Sequence, residues 1–129
     1  MNPDVQGRVY PGTTLTVTPE HVASFARVVG QDEPGVPPTF LTVAEFAVFG
    51  SIVADPELEL DFERVVHGDQ EYEWHRPLRV GEALEVVSRI ASIRERGANG
   101  FLTIEVDVTA ADGEHVATAR ATMIERGSP

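Results

Sequence analysis

The chain contains no cysteine and no lysine. Without cysteine there can be no disulfide, no thiol nucleophile and no thiolate metal ligand. Every basic side chain other than histidine is arginine; 10 of them stand against 21 acidic residues, for a formal net charge of -11. Such a surface repels a phosphate backbone, so nucleic acid is not an expected partner. The acidic excess reads as a solubilising face. Histidine occurs at His21, His67, His75 and His115, with no H-x-H or H-x-x-x-H pair. Neither a metal site nor any other cofactor is therefore expected. No apolar run is long enough to span a bilayer, and the opening residues MNPDVQGRVY lack the basic and apolar parts of a signal peptide. A soluble, cytoplasmic protein without a membrane partner is expected.

With 129 residues, 42% of them hydrophobic, the chain is expected to form one domain able to bury its own core. Gly12 to Val17 reads as a first strand. Thr18 is a good N-cap, followed by Pro19 at the first helical position and Glu20 near the positive end of the dipole. Val22, Phe25, Ala26 and Val29 then share one helical face, and Gly30 ends the helix. Gln31 to Pro38 carries three prolines and a glycine and reads as a loop. Thr39 to Val53 is apolar nearly all round, which predicts a buried helix; Glu45 is its only charge and reads as a solvent edge.

Strands follow. Val65 begins one that Pro77 must stop, since proline has no N–H for the ladder. Leu78 to Glu82 reads as a turn and Ala83 as the start of the next strand, so the two are expected to form a hairpin-like unit. Arg94 to Gly100 is a polar turn. Leu102, Ile104, Val106, Val108 and Ala110 alternate with polar residues, giving one dry face. Asp112-Gly113 marks a turn. In the run from His115 to Glu125, Ala117, Ala119 and Ala121 share a face, as if packed on something bulky. The expected fold class is α+β. A single antiparallel sheet can hide an apolar helix only by curling around it, which is the hot-dog arrangement. Such a sheet keeps exposed edges, so pairing with a second chain is expected, with a slot for an elongated apolar ligand at the seam.

Two motifs carry a resemblance. Val36-Pro37-Pro38-Thr39-Phe40 resembles the A-P-P-T-F opening of the central helix in N-terminal MaoC-like (FAS1-like) dehydratase domains. His67-Gly68-x-Gln70, followed by His75-x-Pro77-x-x-x-Gly81-Glu82-x-Leu84, resembles that family's second signature. The similarity runs from about Thr13 to Ile124 and is strongest to the non-catalytic subunits of bacterial (3R)-hydroxyacyl-ACP dehydratases. The resemblance implies a hot-dog fold and reversible dehydration of a 3-hydroxyacyl thioester. That chemistry needs a base, an acid and backbone N–H donors. Catalytic relatives supply them with G-D-x-N-P-x-H and a later A-H-G. Here Gln31 falls at the Asp position and Val36 at the His position; in a second alignment the catalytic stretch is deleted altogether. Prolines replace A-H-G. No residue of the chain is therefore expected to be catalytic. The implied role is that of a partner to a second MaoC-like hot-dog chain bearing the Asp and His, with acyl-CoA or acyl-ACP as substrate.

Pro38, Thr39, Phe40, Phe46, Phe49, His67, Gly68 and Trp74 are the candidate substrate-binding residues. Phe40, Phe46 and Phe49 are core first and acyl lining second. His67 is placed on a strand expected to be central, as a contact to the thioester or pantetheine arm or else a structural histidine bonded to backbone, with no carboxylate or second histidine at a useful spacing. Gln70, Tyr72 and Trp74 share a face that lines a tunnel or simply packs. Two alternatives stand beside the leading reading. One is a hot-dog homodimer that binds an acyl thioester or another apolar ligand without turnover. The other is a thioesterase using Glu45.

Overall fold

A computed structural model describes residues 1–127. Strand β1 (Thr13–Thr16) leads into helix α1 (Pro19–Val29) and helix α2 (Leu41–Val53), and then come β2 (Val65–Trp74), β3 (Ala83–Arg96), β4 (Asn99–Ala110) and β5 (His115–Glu125). The strands form a single antiparallel sheet in the order β1-β3-β4-β5-β2.

Helix α1 starts as its sequence dictates. The Thr18 side chain accepts from the His21 N–H, and Gly30 closes the helix in the left-handed conformation that glycine adopts at no steric cost. Of its apolar stripe only Val22 is fully buried, so α1 lies at the margin of the core. Helix α2 opens later than its apolar run, after a short 3-10 turn over Pro38–Phe40. Leu41, Ala44, Val48 and Ile52 press onto the dry face of the sheet, formed by Leu84, Val86 and Ile90 of β3 and Leu102, Ile104, Val106 and Val108 of β4. Each large aliphatic side chain buried there stabilises the fold by about 1.5–3 kcal/mol. The core also extends ahead of residue 13: Val5 and Tyr10 are buried, and Val9 bridges to Arg89 beside β3.

Three expectations are corrected. First, β2 and β3 are not hairpin partners. β2 pairs only with β5 and lies at the far edge, so it is not a central strand. Residues 75–82 carry the chain past β5 and β4, three strand spacings or roughly 14 Å, and a stretch of that length reaches roughly 26 Å. Hydrogen bonds mark the route: His75 N–H donates to Val116 O (2.9 Å) and Gly81 N–H to Val17 O (2.6 Å). Between them Arg76 bonds Glu82 at 2.7 Å and Glu114 at 3.1 Å. Burial raises the Glu82 pKa, but the Arg76 guanidinium and the Arg79 N–H outweigh it and hold the carboxyl below its usual range.

Second, α2 is not wholly buried: Phe46 is 70% exposed, and Ala47 and Gly50 also face out. Third, Glu45 is not a solvent edge but is 1% exposed. The helix thus turns its one charge inward and an aromatic ring outward. The turn between β3 and β4 is also tighter than the polar run predicts, because the strands continue to Arg96 and resume at Asn99.

Candidate functional site

The inner face of β2 meets α2 along a polar seam. Gln70, Tyr72 and Trp74 pair with Ala121, Ala119 and Ala117 of β5, so all six side chains point to the concave side. The three alanines are fully buried, and the Tyr72 and Trp74 rings on the same face lie 6.3 Å apart edge to face. The Tyr72 hydroxyl reaches Thr42 Oγ1 of α2 at 2.6 Å. Burial raises the Tyr72 pKa, against the Thr42 bond.

One turn along α2, Glu45 Oε2 accepts from Gln70 Nε2 at 2.9 Å. Gln70 Nε2 also donates to the Arg120 carbonyl (3.2 Å), and Gln70 Oε1 meets His67 Nε2 at 3.0 Å. Glu45 Oε1 is buried without a hydrogen-bond partner among the described residues. Burial pushes the Glu45 pKa above the usual carboxylate range; the Gln70 amide and the nearby Tyr72 hydroxyl pull the other way. The expectation that no carboxylate at useful spacing serves His67 is thereby corrected, since Glu45 reaches it through Gln70. Glu45 comes from another element, and nothing in sequence spacing announces it.

The H-G-x-Q spacing has a geometric basis. In a regular strand, side chains three positions apart face opposite ways. The β2–β5 register shifts between His67 and Asp69, so His67 pairs with Met123 and Gln70 with Ala121, which are on the same face of β5. A β-bulge of this kind re-aims side chains. Gly68 sits at the bulge, where a Cβ would lie 2.6 Å from Ile124 Cδ1 and 3.3 Å from the Thr122 carbonyl.

His67 is the polar member of the lining of an otherwise apolar pocket of about 430 Å³. Phe46, Phe49 and Ile52 of α2 form one wall, Leu102, Ile104 and Met123 of the sheet another, and Leu60 and Phe62 close the side. The Phe46 and Phe49 rings meet edge to face at 5.9 Å.

The other candidates do not converge there. Val36, Pro38 and Trp74 line a second groove of about 320 Å³ with the crossover residues His75 to Leu78. Gln31 and Thr39, together with Pro38, border an open depression beside the end of α1. Phe40 is fully buried, edge to face with Phe25 and His21, and borders none of these three hollows. His75 stacks on His115 with ring centroids 4.4 Å apart, at the end of the sheet. Among the described residues, no group of three or more His, Asp or Glu side chains could hold a metal, and no helix is long and apolar enough to cross a membrane.

A curved sheet around one helix, an H-G-x-Q bulge and an apolar pocket beside it are the features on which known proteins can be compared. Residues 5–119 match the family described as "FAS1-like, dehydratase domain region". The chain belongs to this FAS1-like dehydratase domain family. It is 40% identical over 103 residues to a UPF0336 protein of Saccharopolyspora erythraea, a match covering 80% of this chain and 66% of that relative. Among solved structures it resembles the C-terminally truncated HadBC (3R)-hydroxyacyl-ACP dehydratase complex of Mycobacterium tuberculosis (TM-score 0.79, 25% identity, 96% of this chain and 99% of that one). A MaoC-like dehydratase shares the fold (TM-score 0.81, 20% identity, 96% of this chain and 43% of that one). The hot-dog expectation therefore holds for this FAS1-like dehydratase domain.

Proposed function

We propose that this chain is the non-catalytic, substrate-binding subunit of a heteromeric (3R)-hydroxyacyl-thioester dehydratase or enoyl hydratase in fatty acid or polyketide-type metabolism. It works in the cytoplasm on acyl-CoA or acyl-ACP. The observation that carries this reading is a large apolar pocket in a chain whose loop has Gln31 and Val36 where catalytic relatives carry Asp and His. Neither an amide nor an aliphatic side chain shuttles protons at neutral pH. Glu45 and His67 do not replace that pair, because an amide stands between them and the carboxyl is sealed beneath α2. A working base and acid need direct reach to the reacting atoms.

The partner is a second hot-dog chain carrying the missing Asp and His. Two features of this molecule support it. Among the described residues, one long edge of β2 has no strand beside it, and unpaired strand edges are templates for pairing. Phe46, Phe62 and Val66 are exposed on α2, on the segment before β2 and on β2 itself. The resemblance to one chain of a two-component dehydratase complex agrees with this reading.

The test is hydration of trans-2-enoyl thioesters. The purified chain is expected to be inactive, and activity is expected when a MaoC-like chain bearing G-D-x-N-P-x-H is added. Robust turnover by the isolated chain would refute the assignment. Tight acyl-thioester binding without turnover in any pairing would favour the homodimeric binder. Release of free thiol from acyl-CoA would favour a thioesterase, a reading that the burial of Glu45 opposes.

A further inference from the structure

We infer that His67 is the hydroxyl-recognising residue of the apolar pocket: its Nδ1 accepts a hydrogen bond from the 3-hydroxyl of a bound acyl thioester, because Gln70 holds the ring in the Nε2–H tautomer. This inference rests on the acyl-binding reading above and adds to it the polar group that the site selects.

The tautomer follows from donor and acceptor counting. The Arg120 carbonyl can only accept, and it lies 3.2 Å from the end of the Gln70 side chain. That end must therefore be the NH₂ group. Its second hydrogen goes to Glu45 Oε2, 2.9 Å away. The other end of Gln70 is then the carbonyl oxygen, which can only accept, and its partner at 3.0 Å is His67 Nε2. Nε2 must carry the proton. In a neutral imidazole the second nitrogen is then a bare acceptor. Among the described residues Nδ1 has no partner.

Each element of the fold contributes to this arrangement. The Gly68 bulge puts His67 and Gln70 on one face. Helix α2 supplies the buried Glu45 that takes one Gln70 hydrogen, and the β5 backbone takes the other. Gln70 and Glu45 are thus positioning residues, whereas His67 lines the pocket itself. The rest of that lining is hydrocarbon, phenyl and thioether, apart from Gly50. A ligand with an apolar tail and one hydroxyl near its head matches this distribution.

The test has two arms. In the first, nitrogen-15 NMR of the full chain above the histidine titration range reads the His67 tautomer. A protonated Nε2 with a pyridine-type Nδ1 is expected, and Gln70→Leu should erase that preference. An Nδ1–H ring in the wild type would overturn the inference. In the second arm, calorimetry compares the N-acetylcysteamine thioesters of (R)-3-hydroxydecanoate and decanoate. The hydroxylated ligand is expected to bind roughly five- to tenfold more tightly, the range of one satisfied hydrogen bond. The exposed site tolerates His67→Ala, which should bring the two ligands to equal affinity while still binding both. Equal affinities in the wild type would overturn the inference and leave acyl binding standing. Binding of neither thioester would overturn both.

Discussion

At the residue scale, two glutamates illustrate opposite uses of burial. Glu45 is enclosed with one oxygen unpartnered, so the fold favours its neutral form. As pH rises through the ordinary carboxylate range, an unfolded chain ionises this group while the folded chain resists. The folded state then holds the extra proton, and stability falls with pH until the raised value is passed. Glu45→Gln keeps the hydrogen-bonding shape without the charge, so it should flatten this part of the stability curve. Urea midpoints measured at a series of pH values would show it, and parallel wild-type and variant curves would count against the assignment. Glu82 has the reverse sign. Its lowered pKa adds stability that is present above the ordinary carboxylate range and lost as pH falls through the lowered value. Glu82→Gln should cost about 1–3 kcal/mol near neutral pH, the scale of charge-assisted hydrogen bonds, and less in acid. A midpoint unchanged at neutral pH would mean that Arg76 does not depend on this partner. Glu45 was also the residue least legible in the sequence. One charge on an apolar helix looks like a wet edge, and Gln70, the residue that makes its burial tolerable, belongs to a strand that comes later in the chain.

At the element scale, local signals were reliable because their causes are local. Thr18, Pro19 and Gly30 bound α1 through capping and backbone geometry, and strict alternation defined β4. The β2 stop at Trp74 and the β3 start at Ala83 follow from Pro77 and the turn residues. What those signals do not encode is which strand lies beside which. Pro77 ends a ladder whether the chain doubles back or crosses the open end of the sheet, and here Arg76 and Glu82 brace a crossing. The bulge was illegible for a related reason. Gly68 suggests one, but only the pairing with β5 shows that it brings His67 and Gln70 to the same side. The candidate ligand residues do not converge: Phe46, Phe49 and His67 line one pocket, Pro38 and Trp74 a second groove, Pro38 and Thr39 an open depression, and Phe40 none of these.

At the scale of the whole molecule, the outward aromatic of α2 and the free side of β2 are the surfaces that a second chain would cover. Phe46→Glu changes a side chain that is 70% exposed, so it should leave the melting temperature almost unchanged. On the proposed pairing it should weaken association with the catalytic chain at least tenfold in sedimentation, because a desolvated charge would sit where an aromatic anchor belongs. Unaltered association would place the interface elsewhere. The outer face of the sheet is less suited to that role. There Glu105 is bound by both Arg89 and Arg120, and Arg120 also meets Glu73 at 3.3 Å, so its charges already satisfy one another.

The strand order also bears on how the chain is made. β2 emerges from the ribosome well before β5, the strand beside which it lies in this sheet. Until β5 arrives, the H-G-x-Q bulge has no register and the imidazole no fixed neighbour. Assembly of the pocket is therefore a late event in biogenesis, and a nascent chain stalled ahead of β5 exposes a sticky, unzipped ribbon that a chaperone or an early-binding partner subunit would have to shield.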